Sequence, residues 1–140
     1  MPKCKTYVDS NVLIAAFQGK EETFSKAMAV LDDPAREFIV SDFLRLETIP
    51  KPTFHKREEE VAFMGSFLES AQANILASPA LTEKAIQFAG CHDIHPMDAL
   101  HLSAALHAEA DEFVTLEKPE KPMFQLQELK VTSRHSPSDF

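Results

Sequence analysis

The chain has 140 residues, enough for one domain with a single core, and its 44% apolar and 26% charged residues are an ordinary globular balance. Lys and Arg number 14 against 22 Asp and Glu, a formal charge of −8, which argues against a broad positive surface for nucleic acid and suits gathered carboxylates or a basic partner. The longest uncharged stretch, Ser70 to Thr82, is too short and too polar to span a membrane, and Cys4 and Cys91 have no metal-type spacing and read as reduced thiols.

The first strand covers Lys5 to Val8, close enough to Met1 to leave no room for a signal peptide, so a cytoplasmic protein is expected. Asp9 follows that strand. Ser10 is placed as the N-cap of a helix over Asn11 to Phe17, closed by Gly19. A second helix is predicted from Thr23 to Leu31, broken by Asp32-Asp33-Pro34, and "EFIVS" at 37–41 is a buried-type strand. Ser41 or Asp42 caps the helix that carries Glu47, which Pro50 and Pro52 end. A longer helix from Lys56 to Ala71 has apolar residues on more than one face, so cover on two sides is expected. Then come a brief extended piece at Asn74 to Leu76, a helix from Pro79 to Ala89 stopped by Gly90, and an Ala- and Leu-rich helix from Pro96 to about Ala110. "EFVT" at 112–115 and "ELKVT" at 128–132 are the last strands, and residues 133–140 read as a disordered tail after a domain at 1–132. Strands alternating with helices imply an α/β fold with a mostly parallel sheet covered on both faces.

In such a sheet, ligand sites lie beyond the carboxyl ends of the strands. Asp9 sits at one such end, Glu117 lies two residues past the strand ending at Thr115, Asp98 is in the first turn of the Pro96 helix, and Glu47 follows the second strand. Crowded carboxylates repel unless a cation neutralises them, and an all-oxygen set suits Mg²⁺ or Mn²⁺. Two such ions about 3.5–4 Å apart can drive phosphodiester hydrolysis, which is nuclease chemistry. Each acid also has an ordinary reading: Asp98 favours the helix dipole, Glu47 can be a solvated helix residue, and Glu117 belongs to the charged loop "EKPEKP". Asp9 is harder to explain so, because a carboxylate at a buried strand end needs a partner. Ser10 and Asn11 can be a cap and a first-turn residue, or can orient the neighbouring acids.

"YVDSNVLIAAF", "VSDFLRLETIPKP", "HPMDALHLSAALHAEAD" and "ADEFVTLEKP" resemble, in order and spacing, the four motifs of the PIN domain family, over residues 5 to about 118. The resemblance implies a PIN-like three-layer sandwich with a sheet of four to five strands, and a metal-dependent ribonuclease, in bacterial chains of this size usually the toxin of a VapBC-type toxin–antitoxin pair. By the same resemblance Asp9, Glu47, Asp98 and Glu117 are the metal ligands and catalytic acids, supported by Ser10, Asn11 and Thr115. The fourth acid is Glu117 where the family usually has Asp, so Asp9 and Asp98 carry most weight, and one or two metals stay open. The alternatives are a PIN-like protein-binding module with a degraded site, and a phosphotransfer domain with Asp9 as nucleophile, against which Asn11 stands where a second acid is common.

An RNA substrate needs local positive charge. Lys51, His55, Lys56 and Arg57 beside Phe54, and Lys118 and Lys121 after the fourth acid, are candidate RNA contacts or else solvated loop residues. His95, His101 and His107 recur every six residues, a helical rotation of about 600° that excludes a metal triad; His101 either lines the cleft or is an ordinary satisfied helix histidine. The Phe- and Met-rich surface from Val61 to Leu68 is core, or the face of a homodimer or of an antitoxin contact. An antitoxin with a basic segment would complement the charge of −8.

Overall fold

Alternation along three central strands decides the layering. Tyr7, Ile39 and Phe113 point into one core with residues of the helices between positions 79 and 107, while Val8, Val40 and Val114 point into a second core with the remaining long helices. The computed structural model describes residues 2–135. In chain order the elements are β1 (Cys4–Val8), α1 (Ser10–Gln18), α2 (Glu21–Leu31), β2 (Arg36–Ser41), α3 (Asp42–Thr48), α4 (Pro50–Phe54), α5 (Glu58–Ser70), β3 (Ala73–Ile75), α6 (Pro79–His92), α7 (Pro96–His107), β4 (Glu112–Thr115), a 3₁₀ turn at Pro122–Gln125, and β5 (Val131–Ser133). The five strands form one parallel sheet in the order β3-β2-β1-β4-β5. This is the α/β sandwich the sequence implies.

The order reverses at β1. The chain winds outward through β2 and β3 on one side, then returns to place β4 against β1 with Tyr7 paired to Phe113 and Val8 to Val114. Carboxyl ends of strands at such a reversal flank a crevice, because the connecting helices leave in opposite directions. Asp9 and the Leu116–Glu117 segment leave the sheet there, and the Asp9 N–H still bonds the Val114 carbonyl at 2.9 Å. At the opposite end of the sheet Arg36 of β2 holds the buried Glu112 of β4 at 2.8 Å, and Thr132 of β5 also donates to that carboxylate. Burial opposes ionisation of Glu112, but these donors win and hold its carboxyl below the ordinary value.

Several boundaries differ from the sequence reading. Asp9, not Ser10, is the N-cap of α1: its backbone is extended and its carboxylate accepts the Ser10 N–H. Pro50 opens α4 as its first residue, where a proline lacks nothing a helix needs. Helix α6 runs through Gly90 to His92 and ends at Asp93, which takes the left-handed conformation at φ 53°. Helix α5 is covered on one side within this chain: Glu60 and Met64 are buried, and Phe63, Phe67 and Leu68 are partly so. Strand β5 is Val131–Ser133 rather than 128–132, since Leu129 is drawn into the core with Met123 and Leu126 of the preceding turn. Ser133, in β5, donates its hydroxyl to the Glu117 carbonyl and accepts the His135 N–H, and residues 136–140 of the expected tail lie outside the described residues. Among the described residues no helix is long and apolar enough to cross a membrane.

The glycines separate two effects. A Cβ on Gly19 would stand 2.2 Å from the Ala15 carbonyl oxygen, whereas one on Gly90 would meet nothing within 4 Å. Gly19→Ala is expected to cost about 1–3 kcal/mol by forced overlap, and Gly90→Ala to gain about 0.5–1 kcal/mol by helix propensity. Urea unfolding of the two variants reads both signs; equal shifts in one direction would contradict the assigned geometry.

Candidate active site

The end of β1 delivers Asp9 into the crevice with 4% of its surface exposed. Its two carboxylate oxygens accept hydrogen bonds from the Ser10 N–H at 2.8 Å and the Thr115 hydroxyl at 2.9 Å. Thr115 is itself fixed, since its oxygen accepts from the Asn11 side-chain amide and from the Glu117 N–H, both at 3.1 Å. The Asn11 carbonyl oxygen accepts the Leu116 N–H at 3.1 Å, so Asn11 and Thr115 tie the first turn of α1 to the Glu117 loop. Burial pushes the Asp9 carboxyl above its ordinary value; His101 and the Thr115 and Ser10 bonds pull the other way, and Glu47 adds to the rise.

Helix α3, capped by the Ser41 hydroxyl on the Leu44 N–H, brings Glu47 to the same edge. Glu47 accepts a hydrogen bond from Nε2 of His101, and this bond more than anything holds its carboxyl below the ordinary value against partial burial. One ligand atom each from Asp9, Glu47 and His101 lie within 4.8 Å of one another. Asp98, in the first turn of α7, is raised to about 6 by burial and by the charges of Asp9 and Glu117. Glu117 stands at the open side, 4.0 Å from the Lys121 ammonium, and its carbonyl accepts the Ser133 hydroxyl at 2.6 Å. The acids named from the sequence meet in a crevice in which the charge of Glu47 acts on Asp9, and those of Asp9 and Glu117 act on Asp98.

The basic residues divide. Lys118 borders an open groove of about 480 Å³ with Asn11, Thr23, Leu116, Glu117 and His135, beside the acids. Lys56 and Arg57 border a different cleft of about 410 Å³ between α4 and α5, where Arg57 lies 3.9 Å from Glu60. Phe54 is 80% exposed with its ring edge-on to His55, and Lys51 is exposed on the same short helix.

The family model for the PIN domain matches residues 6–118. The chain belongs to the PIN domain family. No curated protein sequence matches it. Among solved structures, its fold is similar to that of a chain in VapBC2 from Rickettsia felis bound to a DNA fragment from its promoter, at 16% identity and a TM-score of 0.69 over 92% of this chain and 98% of that one. It is also similar to DNA-bound VapBC from Salmonella typhimurium, at 14% identity and a TM-score of 0.68 over 93% and 98% of the two chains. VapC20 of Mycobacterium tuberculosis, a sarcin–ricin loop cleaving toxin, shares 12% identity and a TM-score of 0.66 over 89% and 98%. At these identities the likeness is one of fold.

The sequence reading of this PIN domain left out Tyr7 and left His101 undecided. His101 is fully buried, and its other ring nitrogen, Nδ1, meets the Tyr7 hydroxyl at 2.6 Å. A signal existed: Tyr7 is the one Tyr beside 11 Phe, in a strand, and a buried phenol needs a hydrogen-bond partner.

Asp98 gives a pH dependence whose sign follows from proton binding. Its carboxyl rises from 3.8 to about 6 on folding, so between these values the folded metal-free chain holds a proton that the unfolded chain has released. Stability from this group is complete below the unfolded value and is lost as pH rises through 6. Asp98→Asn is therefore expected to stabilise the chelator-treated protein at pH 7.5 by about 1–2 kcal/mol, allowing for solvent screening of a partly exposed group, and to have a much smaller effect at pH 4, just above the unfolded value. Thermal unfolding at the two pH values checks this, and destabilisation at pH 7.5 would contradict it.

Proposed function

We propose that this PIN domain is a Mg²⁺- or Mn²⁺-dependent endoribonuclease of the VapC toxin type, hydrolysing RNA phosphodiester bonds. The observation that carries the reading is the meeting of Asp9 and Glu47 with His101 within 4.8 Å of one another at the crevice, with Asp98 pushed up by burial and by the charges of Asp9 and Glu117. Such a set is costly in a metal-free chain and relieved by a hard divalent cation. The donors fit: the two hydrogen bonds on Asp9 leave acceptor positions on both oxygens, and every acid offers oxygen. His101 does not add a nitrogen ligand, because both ring nitrogens are engaged.

Asp9 and Asp98 would hold the ion, with Glu47 and Glu117 completing its surroundings. When bound, a divalent ion makes water a stronger nucleophile at neutral pH and offsets charge gathering on the phosphoryl oxygens. The chain's own residues orient the parts. Ser10 and Thr115 fix the Asp9 carboxylate, Asn11 and Thr115 fix the Glu117 loop, and Glu47, held ionised, can accept a proton from the attacking water.

Lys118 lies where a phosphate flanking the scissile bond would pass, and Lys51, Phe54, His55, Lys56 and Arg57 would give a second, outlying contact by charge and base stacking. With so few cations beside the crevice of a chain of charge −8, RNA binding is weak. The VapBC neighbours support an antitoxin partner, and a basic antitoxin segment in the acidic crevice would compete with the metal and silence the enzyme; they also support a dimer.

Calorimetric titration of Mn²⁺ is expected to show binding to the wild type and none to the Asp9→Asn, Asp98→Asn double variant. Asp98→Asn alone should lower cleavage of RNA by at least about 100-fold with the fold intact. Absence of Mn²⁺ binding in the wild type would leave a PIN-like protein-binding module, and retained cleavage in Asp98→Asn would remove the proposed site.

A further inference from the structure

A buried chain of hydrogen bonds leaves α3, crosses β1 and α7, and returns to α3. The Leu44 N–H reaches the Ser41 hydroxyl at 3.2 Å, Ser41 meets the Tyr7 hydroxyl at 2.6 Å, Tyr7 meets His101 Nδ1 at 2.6 Å, and His101 Nε2 meets Glu47. Ser41, Tyr7 and His101 are all fully buried. We propose that Tyr7 and His101 are positioning residues that fix Glu47, and with it the spacing of three of the four acids, for the cation. This rests on the metal-site reading above and adds to it the machinery that sets the site's geometry.

The direction of the chain follows from its end. An ionised Glu47 only accepts, so Nε2 of His101 carries the hydrogen, and taking Nδ1 as the acceptor of the Tyr7 hydroxyl sets one direction for the chain. The Tyr7 oxygen then accepts from Ser41, and the Ser41 oxygen accepts from Leu44. In this direction every polar hydrogen of the chain has an acceptor. In the reverse direction the Ser41 hydroxyl hydrogen has none among the described hydrogen bonds.

Each member also stands close to an acid on its own element. Tyr7 precedes Asp9 by two residues along extended backbone, which puts both on one side. His101 follows Asp98 by three residues on α7, which puts both on one helix face. Ser41 caps the helix that carries Glu47. A single relay thus clamps the elements bearing Asp9, Asp98 and Glu47 to one another.

Packing alone does not account for the hydroxyl. The Tyr7 ring stacks on Phe113 at 5.4 Å with planes 9° apart, a contact a Phe would make equally well in a core already rich in Phe. A buried polar chain is worth keeping only where each member is satisfied and the arrangement it imposes is needed.

The test is calorimetric Mn²⁺ titration of Tyr7→Phe, His101→Leu and His101→Gln, each also in a Glu47→Gln background, with thermal unfolding of every metal-free variant. Tyr7→Phe keeps the stacked ring, so it remains informative if His101→Leu fails to fold. Loss of an outer partner of a ligand weakens metal binding by about 10–100-fold. Tyr7→Phe and His101→Leu should fall in that range, and His101→Gln, which keeps an N–H donor near the Nε2 position, should recover most of the affinity. In the Glu47→Gln background the further effect of Tyr7→Phe should shrink, because the part of it that acts through the Glu47 carboxylate is gone. A wild type that binds Mn²⁺, with variants that melt earlier yet bind it equally well, would overturn the positioning role alone. A wild type that binds no Mn²⁺ would overturn the metal reading and this role with it.

Discussion

Asp9 is a carboxylate placed almost out of reach of water at the end of a central strand, and the surrounding structure is organised around that fact. An unpaired carboxylate there would take a proton or unravel the strand end, so its oxygens are met by the Ser10 amide and the Thr115 hydroxyl. These bonds make Asp9 the cap of α1 and join β1 to the end of β4. They do not cancel the charge of Glu47 and Asp98 nearby, and the site keeps a residual repulsion that its own hydrogen bonds leave standing. Repulsion left standing at a sheet crevice costs stability and marks these acids as a candidate cation site.

The two ends of the sheet treat acids in opposite ways. Glu112, at the amino end of β4, is buried and fully matched by Arg36 and Thr132, so its charge is spent on holding β2, β4 and β5 together. At the carboxyl end no Lys or Arg enters the Asp9–Asp98 cluster among the described interactions, and Lys121 only approaches the outermost acid, Glu117. Similar residue types are thus paired by a cation of the chain at one edge and gathered without such a pairing around Asp9 and Asp98 at the other.

Sequence periodicity was sufficient for β1, β2, β4 and the helices between them other than α4, because each pairs a clear apolar pattern with a strong punctuation residue. It carried the four acids to one edge because parallel winding leaves little choice about where strand ends go. It misplaced β5, an edge strand of three residues whose neighbour Leu129 packs into the core from a loop and so mimics a strand position. It read Pro50 and Gly90 as stops, although a proline begins a helix as readily as it ends one and Gly90 packs against nothing. The role of His101 could not be settled from local pattern, since its partners Tyr7 and Glu47 lie 94 and 54 positions away along the chain. The basic stretch 51–57 was placed beside Glu47 by nearness in sequence, yet its cleft lies between α4 and α5.

The central claim is that the acidic crevice between β1 and β4 is a cation site. Anomalous diffraction at the manganese edge from crystals soaked in Mn²⁺ tests it most directly. The account predicts a peak in direct contact with the carboxylates of Asp9 and Asp98, bordered by Glu47 and Glu117. Peaks confined to surface acids such as Glu58 and Glu59, with the crevice empty at saturating Mn²⁺, would contradict it.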